Sequence, residues 1–281
     1  MRRLRIVHRT GYTYDAPANA SYNEARMLPA NGGGQFVISS RLSVPNRVSQ
    51  HDYVDYFGTR VSSFEVLAPH DELTLVASSL VEVRPPEPVT GGAGWGDLAR
   101  LSQATVTVSE QLLQTDRTRP PAELVALAEQ ERGRSATPAE AAMGILTRVG
   151  DAVEYVQGVT GVTTSAAQAW SKRKGVCQDI THIALGALRS AGIPARYVSG
   201  YLHPKADAAI GETVEGESHA WVEWFDGVWH GFDATNGIDI CDRHVQVGRG
   251  RDYTDVAPLR GVYSGEGASH LFVSVQITQE G

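Results

Sequence analysis

Apolar and polar residues alternate along the first third of the chain, a pattern typical of β-strands with one buried face. Turn-forming stretches, NGGG and DYFGTR, separate the alternating runs. The runs are LRIVHRTGYTYD, RLSVPNRV, RVSSFEVLAP and ELTLVASSLVEV. Short strands at this spacing favour an antiparallel, sandwich-like sheet domain, which we assign to residues 1–84.

The stretch PPEPVTGGAGWG at residues 85–96 is rich in Pro and Gly and is predicted to be a linker. A chain of 281 residues is long enough for about two domains. We therefore assign residues 97–281 to a second domain, including a final strand in SHLFVSVQIT. The predicted class is α+β.

After the linker the apolar period changes from two to that of a helix. Thr137 before a Pro and three residues ahead of Glu140 is a helix-start signal, and Ser165 ahead of Gln168 is a second one. A further helix is predicted over residues 177–191, where Gly and Pro follow. Strands return in ARYVSGYL, HAWVEWF and VWHGFDAT.

Composition excludes several classes of function. The chain has 25 basic and 32 acidic residues, hence a net charge of −7, which disfavours binding to nucleic acid. No apolar run approaches the length of a membrane-spanning helix, and the basic N-terminus lacks the apolar stretch of a secretory signal. We therefore expect a cytoplasmic protein with no membrane association. Two cysteines cannot form a disulfide framework.

Cys177 is the first residue of a predicted helix. Unpaired backbone N–H groups and the positive end of the helix dipole favour a thiolate there, and thiolate is the reactive form of cysteine. Lys172, Arg173 and Lys174 would act in the same direction if they lay close. The alternative is a small buried side chain without chemistry.

A thiolate nucleophile needs an imidazole as base and acid, and the imidazole needs a third group to orient it. His219 opens one predicted strand and Asp233 ends the next. A two-residue turn at 226–227 would place them on opposite faces. A three-residue loop at 225–227, with Gly227 in the left-handed position, would place them directly opposite each other.

The remaining candidates for catalytic or metal-binding residues are weaker. His182 lies off the face of the thiol on the predicted helix and is interpreted as structural, and Cys241 is interpreted as a packing residue. The cysteines and histidines lack the spacing of a zinc site, and no nucleotide-binding motif is present. We therefore expect no metal and no cofactor.

Three ordered blocks carry a resemblance to a known family. GVCQDITHIALGALRSAGIPARYVSGYL, SHAWVEWF and GFDATNG resemble the core of the bacterial transglutaminase-like superfamily, and the β-rich front and the tail resemble one bacterial subfamily. The resemblance implies a papain-like core, in which a helix bearing Cys packs on an antiparallel sheet bearing His and Asp. It implies that Cys177 is the nucleophile, His219 the base and acid, and Asp233 the residue that orients His219.

Other site residues are expected around this triad. The backbone N–H of Cys177 would be one oxyanion donor, with Trp170 or Gln178 as candidates for the second. Tyr201 and Trp221 are candidates for substrate binding, with core packing as the alternative for both. The polar stretch 204–217 could overhang the site by its position.

The predicted function is acyl transfer from an amide of a peptide or protein through a Cys thioester. Water as the acceptor makes a cysteine protease or amidase, which we favour because no acidic pocket for an amine can be identified in the sequence. An amine acceptor would make a protein-glutamine transglutaminase. A non-catalytic binding protein on the same fold remains an alternative, whereas an acetyl-coenzyme-A-dependent acetyltransferase lacks any sign of its cofactor site.

Overall fold

A computed structural model describes residues 1–87, 91–216 and 218–281. The strands are β1 Arg2–Ala18, β2 Ala20–Ala25, β3 Gln35–Ser43, β4 Ser49–Val54, β5 Arg60–Val66, β6 His70–Val83, β7 Glu154–Tyr155, β8 Lys174–Gly175, β9 Ala195–Leu202, β10 Thr213–Gly216, β11 Ser218–Phe225, β12 Trp229–Asp233, β13 Ile238–Asp239, β14 His244–Gly250, β15 Leu259–Ser264 and β16 Ser269–Gln279. The helices are α1 Trp95–Ala104, α2 Val106–Ser109, α3 Ala122–Arg134, α4 Pro138–Ala152, α5 Ala166–Lys172, α6 Cys177–Ser190 and α7 Tyr253–Val256.

Two sheets form the unit that we call the front unit. One sheet has the strand order β10-β16-β1-β6-β3 and the other has the order β15-β2-β5-β4. Alternate residues of their strands, such as Leu42, Phe64 and Leu75, are buried together between them. The predicted antiparallel, sandwich-like front is therefore confirmed.

The end of the chain returns to the front unit. β15 pairs with β2, and β16 pairs with β1 along most of its length. The sequence-based division placed residues 97–281 in a single domain, whereas the strand pairing puts the last two strands in the front sheets. The physical reason lies in β16, where Val275 and Ile277 extend the buried face formed by Leu4 and Ile6 of β1.

The predicted linker also differs in detail. Helix α1 begins at Trp95, inside the stretch 85–96, and residues 88–90 of that stretch lie outside the described residues. The helix starts at Thr137 and Ser165 are confirmed: each hydroxyl accepts a hydrogen bond from the backbone N–H three residues later.

Helix α6 lies at the centre of the second unit, which we call the core unit. It packs against β9 and β11 of a sheet with the order β13-β12-β11-β9-β14, and α3, α4 and α5 surround it. Its residues Ile180, Ile183 and Leu185 are fully buried. This arrangement confirms the predicted helix-on-antiparallel-sheet core.

Arg189 fixes the far end of α6. Its buried guanidinium donates hydrogen bonds to the carbonyl oxygens of Ala195, Gln111 and Arg251. A buried cation needs such a complete set of acceptors, because an unpaired one would cost several kcal/mol. The helix that bears Cys177 is thereby tied to three other segments.

The two units share a continuous apolar interface. Leu4, Ile6, Val275 and Ile277 of the front unit pack with the core-unit residues Tyr201, Val245 and Val247. All seven side chains are nearly or completely buried. The front unit is therefore held against the sheet of the core unit. Among the described residues, no helix is long and apolar enough to cross a membrane.

The shared interface generates a stability prediction. Val275→Ala should lower the free energy of unfolding by about 2 kcal/mol, because it removes buried methyl groups and leaves a cavity between the units. Val262→Ala is the matched control, since Val262 on β15 is 68% exposed, and its effect should stay within about 0.5 kcal/mol. Urea unfolding followed by fluorescence measures both. Equal effects of the two substitutions would contradict a shared interface.

Candidate active site

Cys177 is the first residue of α6, as predicted. The helix begins there because the carboxylate of Asp179 accepts the backbone N–H of Val176 at 2.9 Å, and the hydroxyl of Thr160 donates to the same oxygen. The first N–H groups of a helix have no acceptor within the helix and carry partial positive charge. The Cys177 thiol, half-buried, lies at this end.

The three cations upstream of Cys177 have other partners. Lys172 donates to the carbonyl oxygen of Val159, Arg173 pairs with Glu123, and Lys174 pairs with Glu154. Arg173 and Lys174 therefore have a carboxylate partner each, whereas Lys172 donates to a neutral carbonyl. The N-terminus of α6 and His219 are the two features of the site that act directly on the Cys177 thiol.

The hairpin that bears His219 and Asp233 has a three-residue loop, but one residue further along than expected. Phe225 pairs with Trp229, so the loop is 226–228 and Gly227 occupies its centre with φ of +110°. Phe225 stays in the strand because it is buried against the ring of Trp229. Asp233 is consequently diagonal to His219 on the same face instead of directly opposite.

The diagonal register still brings the two side chains together. The Nε2 of His219 lies 2.7 Å from Oδ2 of Asp233. Because the side chain of Asp233 is fully buried, this contact replaces the water that a carboxylate would otherwise need.

Asp233 also accepts hydrogen bonds from its own turn. The backbone N–H groups of Thr235 and Asn236 donate to Oδ1, and the side-chain amide of Asn236 donates to Oδ2 at 2.7 Å. Burial alone would raise the pKa of Asp233, but the donors and the neighbouring imidazoles outweigh it and hold that pKa far below its usual range. Asp233 is therefore a permanent carboxylate in the buried site.

His219 is polarised by this carboxylate. Burial alone would lower the pKa of His219, but hydrogen bonds and charge from Asp233 and Cys177 raise it to about 10. Since Nε2 contacts Asp233, Nδ1 is the ring nitrogen left for the thiol. The site can thus hold a proton on His219 next to Cys177 and return it to a reacting group.

Cys177 and His219 line one cavity of about 330 Å³, which we call the thiol cleft. Helix α6 and strands β9 and β11 form one side of it, and strands β1 and β16 of the front unit form part of another. The front unit is therefore part of the wall around the candidate nucleophile.

The two candidates for a second oxyanion donor are placed differently. Gln178 lines the thiol cleft beside Cys177 and therefore stays a candidate for the second donor. The indole N–H of Trp170 instead donates to the carboxylate of Glu123 at 3.0 Å, and the ring stacks on Arg173. Trp170 is therefore not available as a donor, and the expectation for it is corrected.

Tyr201 and Trp221 do not line the thiol cleft, which corrects the expectation of substrate binding. The hydroxyl of Tyr201 contacts Nδ1 of His8 and the carbonyl oxygen of Met27 within the interface of the two units. Trp221 is 2% exposed and packs edge-on against His244. The position of these two residues on their strands does not by itself show which face of the sheet borders the cleft.

The stretch expected to overhang the site lies beside it. Pro204, Glu215 and Gly216 line a second cavity of about 520 Å³ that shares His219 with the thiol cleft. Strand β10 within this stretch pairs with β16. Residue 217, the last of the stretch, lies outside the described residues.

Two polar residues at Asp233 were missed in the sequence. Asn236 could have been found, because an Asn three residues after a strand-terminal Asp is a common turn pattern. No sequence pattern indicates His244, which lies 11 residues after Asp233. Only the folded chain brings its Nε2 to 3.3 Å from Oδ2 of Asp233. His182, interpreted as structural, is completely buried and accepts the backbone N–H of Tyr253.

The ligand atoms of His219, Asp233 and His244 lie within 4.8 Å of one another, which is close enough for a metal ion. Both imidazoles, however, direct Nε2 to the same carboxylate oxygen. An ion there would have to displace both hydrogen bonds, so the arrangement fits a hydrogen-bonded carboxylate better than a metal centre.

Comparisons with known proteins agree with the fold. Residues 4–82 match the family described as the bacterial transglutaminase-like N-terminal region, and residues 125–234 match the transglutaminase-like superfamily. A crystal structure from Cytophaga hutchinsonii, described as a "putative cysteine protease", covers 99% of this chain and 90% of its own, with a TM-score of 0.78 at 20% identity. At that identity the likeness concerns the fold alone.

Two mycobacterial relatives are similar over more than nine tenths of their length. An uncharacterized protein of Mycobacterium leprae (strain TN) is 44% identical over 99% of both chains. Another, of Mycobacterium tuberculosis (strain ATCC 25618 / H37Rv), is 32% identical over 98% of this chain and 92% of its own. The chain therefore belongs to the bacterial transglutaminase-like proteins, with both the N-terminal region and the superfamily core.

Proposed function

We propose that this protein is a thiol-dependent acyl-transfer enzyme that hydrolyses an amide bond of a peptide or protein, with Cys177, His219 and Asp233 as its catalytic triad. The observation that carries the proposal is the 2.7 Å contact between His219 and a buried Asp233, next to a thiol at a helix N-terminus. These are the three roles that cysteine-based acyl transfer requires.

The proposed reaction has two halves. In the first, the sulfur of Cys177 attacks the amide carbonyl, His219 gives its Nδ1 proton to the leaving amine, and a thioester remains on Cys177. In the second, His219 takes a proton from water, the hydroxide adds to the thioester, and the acid leaves as the thiolate is restored. The N–H of Cys177 and the amide of Gln178 would stabilise the oxyanion in both halves.

Water is favoured over an amine as the acceptor. Among the residues that the structure describes, no carboxylate lines the thiol cleft, so an ammonium group would find no counter-charge there. Glu215 lines the neighbouring cavity and gives the transglutaminase alternative its best support. Analysis of the products therefore tests whether water or an amine accepts the acyl group.

The proposed hydrolysis predicts the identity of the reaction products. Incubation with a glutamine-containing peptide library in ¹⁸O-labelled water should yield acids carrying one labelled oxygen, because water resolves the thioester. Mass spectrometry with and without added putrescine distinguishes the acceptors: adducts of the amine as the main product would favour the transglutaminase. Cys177→Ala should abolish turnover, with Cys241→Ala as the matched control. Turnover that survives Cys177→Ala would refute the proposal.

The proposed role of His219 predicts how the rate depends on pH. Since His219 must be protonated to act as an acid, kcat/KM should fall as the pH rises through about 10. The Asp233 carboxylate contributes to raising that pKa, so Asp233→Asn should move the alkaline limb down by about one to three pH units and lower kcat. Asp239→Asn, an exposed residue on β13, is the control and should leave the profile unchanged. An unchanged limb in Asp233→Asn would contradict the role of Asp233.

A further inference from the structure

One face of β16 is buried in the interface at one end of the strand and lines the thiol cleft at the other end. Ile277 and Val275 are completely buried against the core unit, and the next two residues on the same face are Val273 and Leu271. Val273 and Leu271 are half exposed and line the thiol cleft. The apolar stripe therefore continues past the point where the core unit covers it.

Further exposed apolar side chains line the cleft as well. Tyr155 and Val162 are exposed to a similar degree and line the same cavity. Exposed apolar side chains that cluster around a concave site usually mark a binding surface, since scattered ones would not converge. Here they converge on Cys177.

Outside the Cys177–His219 pair, the described lining of the cleft offers nothing to recognise a charged group. No Asp, Glu, Lys or Arg lines it among the residues within 1–87, 91–216 and 218–281. Its imidazole from the front unit, His8, is uncharged at neutral pH, because burial lowers the pKa of His8 to about 4. A charged side chain entering the part of this space lined by Val273 and Leu271 would lose its hydration without gaining a counter-charge from a neighbouring Asp, Glu, Lys or Arg among the described residues.

Resting on the function proposed above, we propose that the thiol cleft selects substrates with an uncharged, apolar side chain next to the scissile amide. Val273 and Leu271 of the front unit are the specificity-determining residues. The front unit thereby acts as part of the substrate site in addition to its packing role.

The test uses reagents that report on the cleft without requiring turnover. Iodoacetamides carrying an N-benzyl, an N-carboxyethyl or an N-aminoethyl group alkylate a thiolate: the S–C bond forms and iodide leaves. Rates at Cys177, mapped by peptide mass spectrometry at pH 7, should be about tenfold higher for the benzyl reagent than for either charged one. Equal rates for the three reagents at a reactive Cys177 would overturn the proposal.

Two matched variants test whether Val273 determines this selectivity. Val273→Lys should reduce the benzyl rate about tenfold and raise the rate of the carboxyethyl reagent. Val262→Lys, the same change on an exposed strand position outside the cleft, should leave both rates unchanged. Similar effects of the two variants would refute the role of Val273. If no reagent modifies Cys177 faster than it modifies the thiol of a free cysteine peptide, and His219→Ala changes nothing, the proposed function itself fails.

A separate observation concerns His244. Its Nδ1 lies 3.2 Å from the backbone N–H of Cys241, and the Cys241 sulfur lies 3.6 Å from the same nitrogen. A ring nitrogen that accepts this N–H carries no proton, so the proton lies on Nε2, which faces Oδ2 of Asp233 at 3.3 Å. His244 is completely buried and cannot turn freely.

We infer that His244 is a positioning residue of the proposed triad: it holds the Asp233 carboxylate in the orientation that His219 requires. His244→Leu should lower the rate of Cys177 alkylation by iodoacetamide at pH 6 by about tenfold, and His244→Gln, which keeps a donor, should restore most of it. Cys241→Ala keeps the backbone N–H and should have no effect. Equal losses in the Leu and Gln variants, or a loss in Cys241→Ala, would overturn the inference.

Discussion

The buried carboxylate of Asp233 is the constraint on which the candidate site depends. A charge taken out of water must find donors within the protein, and Asp233 finds them in two imidazoles, one side-chain amide and two backbone N–H groups. Its position at the end of β12 brings these donors together, because the strand stops there and the turn folds back over it. The orientation of His219 follows from this network.

The front unit is part of the same arrangement. Strand β16 pairs with β1, packs against β9 and β14 through its inner half, and lines the thiol cleft with its outer half. A displacement of this strand would therefore change both the stability of the interface and the shape of the cleft. The return of the chain end to the first strand couples the N-terminal region to the candidate nucleophile.

The sequence predicted those parts of the fold that depend on local patterns. Alternation predicted the front sheets, caps predicted the helices at Thr137 and Ser165, and the position of Cys177 at a helix start followed from the residues around it. The hairpin loop was predicted with the right length but the wrong position, because the packing of Phe225 on Trp229 is a tertiary contact. His244, and the burial of Tyr201 and Trp221, likewise depend on contacts between distant segments that periodicity cannot reveal.

The distribution of charge explains why a polar triad and an apolar cleft occur together. The Asp233 carboxylate supplies the counter-charge of a protonated His219 through Nε2, so the side of the imidazole facing Cys177 needs no further ion. Around Cys177 the described lining then needs no further charged side chain, and apolar residues such as Val273 and Leu271 occur there beside neutral polar ones. A charged residue in that lining would compete with Asp233 for His219. A single counter-ion, Asp233, thus serves the proton on His219 while the described lining of the cleft stays free of further ions.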